Sequence, residues 1–308
     1  MTDRLMLLDT ASLYFRAFYG VPDTVKAPDG RSVNAARGLL DMIAKLVSTY
    51  RPTQLVACWD DDWRPQWRVD LIPSYKTHRV VEVVTGGPDV EEVPDPLEQQ
   101  IPVIRATLAA LGIPIVGVAA HEADDVIGTL ATRADVPVDI VTGDRDLFQL
   151  IDDASGVRII YTARGMSNLE ILTDASVVAK YGVLPTQYAD FATMRGDASD
   201  GLPGVKGVGE KTAATLLQNH GDLAGIRSAA DAGAGMSASV AAKIRDAADY
   251  LDVAPTVVEV AKTLDIEVPT ARLHPLDVAE QDAATALAEQ WNLGTSMTRA
   301  LTALVGTA

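Results

Sequence analysis

Four short apolar runs, each closed by carboxylates, constrain this chain more than any other feature. Leu5–Leu8 runs into Asp9, and Leu55–Trp59 into Asp60. Ile113–Val118 leads to His121-Glu122-Ala123-Asp124-Asp125, and Val138–Thr142 to Asp144 and Asp146. Short apolar runs bounded by turn signals read as buried strands. Val157–Tyr161 reads as a fifth. The stretches between them carry helical periodicity. Residues 34–50 place Leu39, Leu40, Ile43, Leu46 and Val47 on one face, with Asn34 as the expected N-cap. Residues 97–111 form a helix closed by Gly112, and a further helix spans about 122–133. Strands alternating with helices predict an α/β fold with a mostly parallel central sheet flanked by helices.

The strands of such a sheet end at one edge, where ligands bind. Asp9, Asp60, Glu122, Asp124, Asp125, Asp144 and Asp146 are therefore expected to crowd together. Like charges so close do not all stay ionised unaided. Hard divalent cations with oxygen ligands answer them, which points to two or more Mg²⁺ or Mn²⁺ ions. Each aspartate could instead cap the helix that follows it. Caps alone do not explain an acidic triplet beside a paired Asp-x-Asp. His121 is expected to be a bystander, because the other ligands are all oxygen.

After about residue 172 the pattern turns helical. Segments 174–181, 186–195, 209–219 and 239–250 read as helices, with Gly182, Gly196 and Gly221 as stop signals. The chain thus divides into an α/β core, 1–172, and a helical region, 173–308. The segment Gly196 to Thr212 is not a Walker A loop, because Glu210 stands where that motif needs Lys. It lies among helices, so it is no dinucleotide fingerprint either. It fits a helix-hairpin-helix over about 186–219. Gly204, Gly207 and Gly209 let backbone N–H groups approach a phosphate, at a helix N-terminus. Lys206, Lys211 and Thr212 stand beside them. Such an element grips the sugar-phosphate backbone and reads no bases. Asp197 and Asp200, at i, i+3 spacing, are expected on one side of a helical turn. Reaching the sheet edge, they would complete a second metal shell.

An insert at about 62–100 splits into two halves. The first holds Arg64, Arg68, Tyr75, Lys76 and Arg79 among Trp63 and Trp67, a composition suited to phosphates and bases. For the tryptophans alone, core packing is the better reading. The second half, residues 80–100, holds six acids and no base, with Gly86, Gly87, Pro88, Pro94 and Pro96. It is expected to be flexible and solvated.

The total of 26 Lys and Arg against 42 Asp and Glu, a net charge of −16, argues against nucleic acid when taken alone. Nine acids of the expected metal site and six of the insert account for nearly all of that excess, so it is local. One cysteine, Cys58, rules out an intramolecular disulfide and a cysteine-built zinc site. No signal-peptide core or membrane span is visible, so a soluble cytoplasmic protein is expected.

With these residues in hand, the chain resembles the flap endonuclease family, including bacterial 5′→3′ exonucleases and the 5′-nuclease domain of bacterial DNA polymerase I in stand-alone form. Leu7-Leu8-Asp9 with Tyr14-Phe15-Arg16-Ala17-Phe18 is similar to its N-terminal signature. Trp67-Arg68 through Tyr75-Lys76-Thr77-His78-Arg79 is similar to its arm. Glu122-Ala123-Asp124-Asp125, Thr142-Gly143-Asp144-Arg145-Asp146 and Gly196-Asp197-Ala198-Ser199-Asp200 resemble its acidic blocks, and Leu202 through Thr212 its hairpin.

The resemblance implies a PIN/5′-nuclease-like core and a metal-dependent phosphodiesterase. Its substrates would be 5′ flaps, nicks and ends in DNA and RNA primer strands, with an arch over the site. Asp9, Asp60, Glu122, Asp124, Asp125, Asp144, Asp146, Asp197 and Asp200 would hold the metals. Arg16, Arg68, Lys76 and Arg79 would contact phosphates, and the hairpin could hold K⁺. Lys76, Arg79 and Asp144 are the expected catalytic residues, in a monomer working with replication and repair partners. The alternatives are a PIN-type ribonuclease and a non-catalytic DNA-binding factor. A haloacid-dehalogenase-like phosphatase is excluded, because Ala11 stands where it needs Asp.

Overall fold

Strand β1 (Leu5–Asp9) is buried along its whole length, as a central parallel strand must be. Its alternating side chains feed two cores. Met6 and Leu8 join the core under α1 (Thr10–Gly20) and α2 (Asn34–Tyr50), while Leu5 and Leu7 join the core on the opposite face. The computed structural model describes residues 3–84, 87–267 and 270–305. The second strand, β2 (Gln54–Cys58), pairs parallel to β1. The arm follows, with α3 (Gln66–Leu71), an antiparallel pair β3 (Val80–Glu82) and β4 (Val90–Glu91), and α4 (Asp95–Glu98). Next come α5 (Ile101–Ala110), β5 (Ile115–Val116), α6 (Ala123–Arg133), β6 (Val138–Thr142), β7 (Val157–Tyr161) and β8 (Glu170–Leu172).

The sheet order is β5-β2-β1-β6-β7-β8, parallel except for β8. The chain leaves β1 toward β2 on one side and later returns as β6 on the other. The C-terminal ends of β1 and β6 therefore flank a topological switch point. The helical region holds α7 (Asp174–Tyr181), α8 (Tyr188–Arg195), α9 (Glu210–His220), α10 (Leu223–Ala232), α11 (Ala238–Asp246) and α12 (Ala248–Val258). Gly182, Gly196 and Gly221 end α7, α8 and α9, each at positive φ.

Several sequence expectations are corrected. The third strand shrinks to Ile115–Val116, because Pro114 has no N–H and Gly117 is pressed against Asp61. The helix expected over 97–111 is split. Pro102 opens α5, and Gln100 accepts the N–H of Ala35 and donates to Asn34. Asn34 does not cap α2; it donates to the carbonyls of Phe18 and Val21. Much of the acidic half of the insert is built into the fold. It forms β3, β4 and α4, with Leu97 and Asp89 buried. Gly86 lies outside the described residues.

The C-terminal segment also turns back on the α/β core. Leu55 N–H donates to Ala271 O at 2.9 Å, and Leu273 N–H donates to Thr53 O at 2.9 Å. Helix α13 (Val278–Gln290) then packs on α5, and α14 (Gly294–Val305) on α2. The fold is thus less cleanly divided at residue 172 than the composition shift suggests.

Candidate active site

Asp9 and Asp60 form the floor at the ends of β1 and β2. Asp9 is buried, accepts Thr142 Oγ1–H at 2.6 Å and Ser12 N–H at 3.2 Å, and so does cap α1. Burial raises its pKa to about 7, helped by the charges of Asp60 and Asp144, although Thr142 pulls the other way. Asp60 accepts Ala123 N–H at 2.8 Å at the start of α6. The protein packed around Asp60 raises its pKa to about 6, with Glu122 adding to the rise. Desolvation also lifts Asp124 well above the usual carboxylate range, assisted by Asp144, Asp9 and Glu122. Asp146 is lifted likewise, by desolvation and then by Asp144, Asp200 and Asp197. Asp144 stands exposed at the mouth.

The sheet edge therefore brings together Asp9, Asp60, Asp124, Asp144 and Asp146, an all-oxygen donor set for a hard divalent cation. Asp146 Oδ1 is a buried atom with no hydrogen-bond partner among the described residues, a lone pair a cation would satisfy. Among the described residues no group of three or more carboxylates, histidines or cysteines is arranged so that it could hold a metal ion as it stands.

A pH dependence follows for the metal-free protein. Groups raised to about 7 and about 6 hold protons in the folded state that the unfolded chain releases near its ordinary value of 3.8. Their contribution is complete below that value and is lost as pH rises through 6 to 7. A cation binds the ionised form and restores the loss. The increase in melting temperature on adding Mg²⁺ should therefore be larger at about pH 8 than at about pH 5. Thermal melts at the two pH values check this, and an equal or smaller shift at high pH contradicts it.

Other expected site residues have different tasks. Asp125, expected as a metal ligand, is fully buried, and both of its oxygens are already engaged. It takes both Arg68 Nη1 and Nη2 at 2.8 Å and the N–H of Ala261 at 2.8 Å. Its burial alone would raise its pKa, but Arg68 and the N–H groups of Ala261 and Glu122 together bring the net shift downward. Glu122 is also buried. One of its oxygens accepts Arg68 Nη1 at 2.8 Å and Tyr75 Oη–H at 2.7 Å, and the other accepts the Lys76 ammonium. Arg68 is 2% exposed and Tyr75 3%, so neither meets DNA in this arrangement. Arg64, expected on phosphate, is buried too. It pairs with Asp89 and donates to Tyr75 O and Thr77 Oγ1. The tryptophans pack: Trp59 against Tyr14 and under Arg105, and Trp67 over Arg68 with its indole N–H on Ala120 O.

Asp197 and Asp200 lie in a tight turn, not on a helix. Asp197 and Leu202 exchange backbone hydrogen bonds around it. Asp197 is met by Arg195 at 3.1 Å, Arg145 at 3.2 Å and the Ser199 N–H at 2.9 Å. Burial pushes its pKa up, but Ser199 and the two arginines bring it below the ordinary value. The sequence reading missed Arg195; its signal was a base two residues before an acidic block. Asp200 receives Arg79 at 3.3 Å, and Arg79 also donates to Ser199 O at 2.8 Å.

Of the expected phosphate cations, Arg79 is one-third exposed, Lys206 and Lys211 are exposed, and Arg16 is half-buried with Nε unpartnered among the described residues. In the hairpin, Gly204 and Gly207 have positive φ, and Gly209 precedes α9 without a side-chain cap. Among the described residues, no side chain of the N-cap position covers the first N–H groups of α9. Lys243 Nζ donates to Gly207 O at 3.0 Å, so a protein cation already stands at that hairpin carbonyl.

The sequence profile for the 5′-3′ exonuclease N-terminal resolvase-like domain matches residues 4–182, and that for the 5′-3′ exonuclease C-terminal SAM fold matches residues 183–283. The chain belongs to the 5′-3′ exonuclease family. A "5′-3′ exonuclease" of Streptomyces coelicolor is 59% identical over 304 residues, covering 97% of this chain and 99% of that one. A "5′-3′ exonuclease" of Mycobacterium tuberculosis is 48% identical, covering 99% and 98%. DNA polymerase I of Mycobacterium bovis is 39% identical over 89% of this chain but only 29% of its own length.

Among solved structures, the T5 D15 protein co-crystallised with metal ions has a TM-score of 0.63 at 16% identity, covering 99% of each chain. Human GEN1 with Holliday junction DNA has a TM-score of 0.60 at 18% identity, covering 98% of this chain and 71% of that one. These likenesses establish the fold. The family establishes a 5′→3′ exonuclease, a DNA-processing nuclease of the hydrolase class. The SAM-fold match sets it apart from the PIN-type ribonuclease alternative.

Proposed function

We propose that this 5′→3′ exonuclease hydrolyses phosphodiester bonds at 5′ flaps, nicks and ends of DNA, and on RNA primer strands paired to DNA, with two or more Mg²⁺ or Mn²⁺ ions. The observation that carries this is the carboxylate edge of Asp9, Asp60, Asp124, Asp144 and Asp146, where burial and then neighbouring charge raise the pKa of Asp9, Asp60, Asp124 and Asp146, with an Asp146 oxygen unpartnered among the described residues. Bound ions would activate water and offset charge on the phosphate. Asp197 and Asp200 stand close enough to Asp146 to raise its pKa, which supports a second group of ligands.

The chain's own residues do the rest. Thr142 fixes Asp9, and Ala123 N–H fixes Asp60. Lys76 and Arg79 stand at the base of the arm, both within electrostatic reach of Asp200, where they would offset charge building on a phosphate. The hairpin holds duplex through its glycine backbone, Lys206, Lys211 and Thr212, so recognition is of structure rather than sequence. Lys243 supplies at Gly207 O a positive charge of the kind K⁺ would bring. Cleavage of a 5′-labelled flap duplex in Mg²⁺, and its loss in EDTA, tests the proposal.

Lys206→Ala should weaken duplex binding several-fold and reduce the slope of log affinity against log salt by about 0.9. Filter binding across a salt series measures both. An unchanged slope would remove Lys206 from the phosphate contacts.

A further inference from the structure

We infer that Arg68 is a positioning residue that sets where Lys76 stands, and that it does not contact phosphate. The inference rests on the proposed role of Lys76. Arg68 Nη1 is shared between Glu122 Oε2 and Asp125 Oδ2, both at 2.8 Å, and Nη2 holds Asp125 Oδ1 at 2.8 Å. The remaining Glu122 oxygen takes the Lys76 ammonium, and Tyr75 Oη–H closes the network at 2.7 Å. The chain of contacts thus runs Asp125–Arg68–Glu122–Lys76. Lys76 lies close enough to Asp60 and Asp124 to stabilise their charges.

The same guanidinium ties in the helical region. Arg68 Nε donates to Val257 O at 3.1 Å, at the end of α12, and Asp125 Oδ1 also accepts Ala261 N–H. One side chain therefore joins the arm, the start of α6 and the segment leaving α12. Lys76 has φ +49°, a left-handed backbone that an unbranched side chain keeps only when its surroundings hold it. Glu122 and Tyr75 hold the side chain, and the N–H of Lys76 donates to Asp200 O at 3.0 Å.

These contacts are spread over Nε, Nη1 and Nη2 of one planar fork; an ammonium gathers its three donors on a single nitrogen and cannot span the same set of acceptors. A phosphate, by contrast, accepts lysine as a point charge. Arg68→Lys separates the two roles, because it keeps a cation against Asp125 and Glu122. The expected result is a fall in kcat of about 100-fold, with duplex affinity and its salt slope unchanged. Asp125→Asn, a change at a residue no DNA can reach, should reproduce the loss of kcat. Thermal melts of both variants establish folding.

The partner measurement is Lys76→Ala alone and combined with Arg68→Lys, under single-turnover conditions. Arg68→Lys should cost far less in the Lys76→Ala background than in the parent chain. Retained kcat in folded Arg68→Lys, a reduced salt slope, or additive losses would overturn the inference. Full activity of Lys76→Ala would instead overturn the role given to Lys76.

Discussion

Asp144→Asn should lower cleavage at least about 1,000-fold, equivalent to about 4 kcal/mol of barrier, while duplex binding stays within about twofold. Asp144 is exposed at the mouth, and its Oδ1 accepts the Asp146 N–H at 2.9 Å, a bond an amide oxygen also makes. The substitution therefore costs the fold little. It also removes a charge that adds to the burial-driven rise in the pKa of Asp9, Asp124 and Asp146, so the metal-free variant should melt no lower than the parent. A stable, DNA-binding and inactive protein is the expected combination. Single-turnover rates, melting curves and duplex binding on one preparation check it. Full activity would remove Asp144 from the metal set.

Gly201→Ala should slow cleavage less but cost stability as well, for a different reason. Gly201 has φ +70°, and a Cβ there would collide with the Ser74 carbonyl of the arm. The atoms it would meet are backbone, so no side chain can swing aside to relieve the contact. The arm is fastened here by Ser74 Oγ–H on Gly201 O at 2.7 Å, Lys76 N–H on Asp200 O at 3.0 Å and Arg79 on Ser199 O at 2.8 Å. Moving the arm moves Lys76 and Arg79 together. We expect about 2–3 kcal/mol of destabilisation and about a 100-fold fall in kcat, with hairpin-dependent duplex affinity retained. Gly165→Ala is the control. Gly165 also has positive φ, +86°, but nothing lies within 4 Å of the added carbon. It should cost about 1 kcal/mol and leave activity intact. Urea melts and single-turnover rates distinguish the two variants. Equal behaviour would show that arm docking does not matter to catalysis.

The parts of the fold that obey local rules were legible in the sequence. The apolar runs became β1, β2, β6 and β7 because each is buried on both faces. The glycines after α7, α8 and α9 end those helices because the chain turns there with positive φ. The aspartates at the strand ends meet because parallel strands end together.

What the sequence hid depends on long-range partners. Arg64 and Arg68 look like phosphate ligands by composition, yet Asp89, Asp125 and Glu122 enclose them. Asp125 is one residue from Asp124 but lies on another face of the first turn of α6, against Arg68. No spacing rule separates their tasks. Asp89 belongs to a segment that is acidic throughout, and only the fold shows that it partners Arg64. The return of the C-terminal segment to β2 is equally invisible, because it is backbone pairing across more than two hundred residues.

The most direct test of the central claim is cleavage of one 5′-labelled flap duplex by the intact chain in Mg²⁺, Mn²⁺ or EDTA, with product lengths resolved. Metal-dependent cutting from the 5′ side, at the end or the junction, silenced by EDTA and by Asp144→Asn, is the predicted result. Cleavage that persists in EDTA, or an intact flap with either metal, would contradict it.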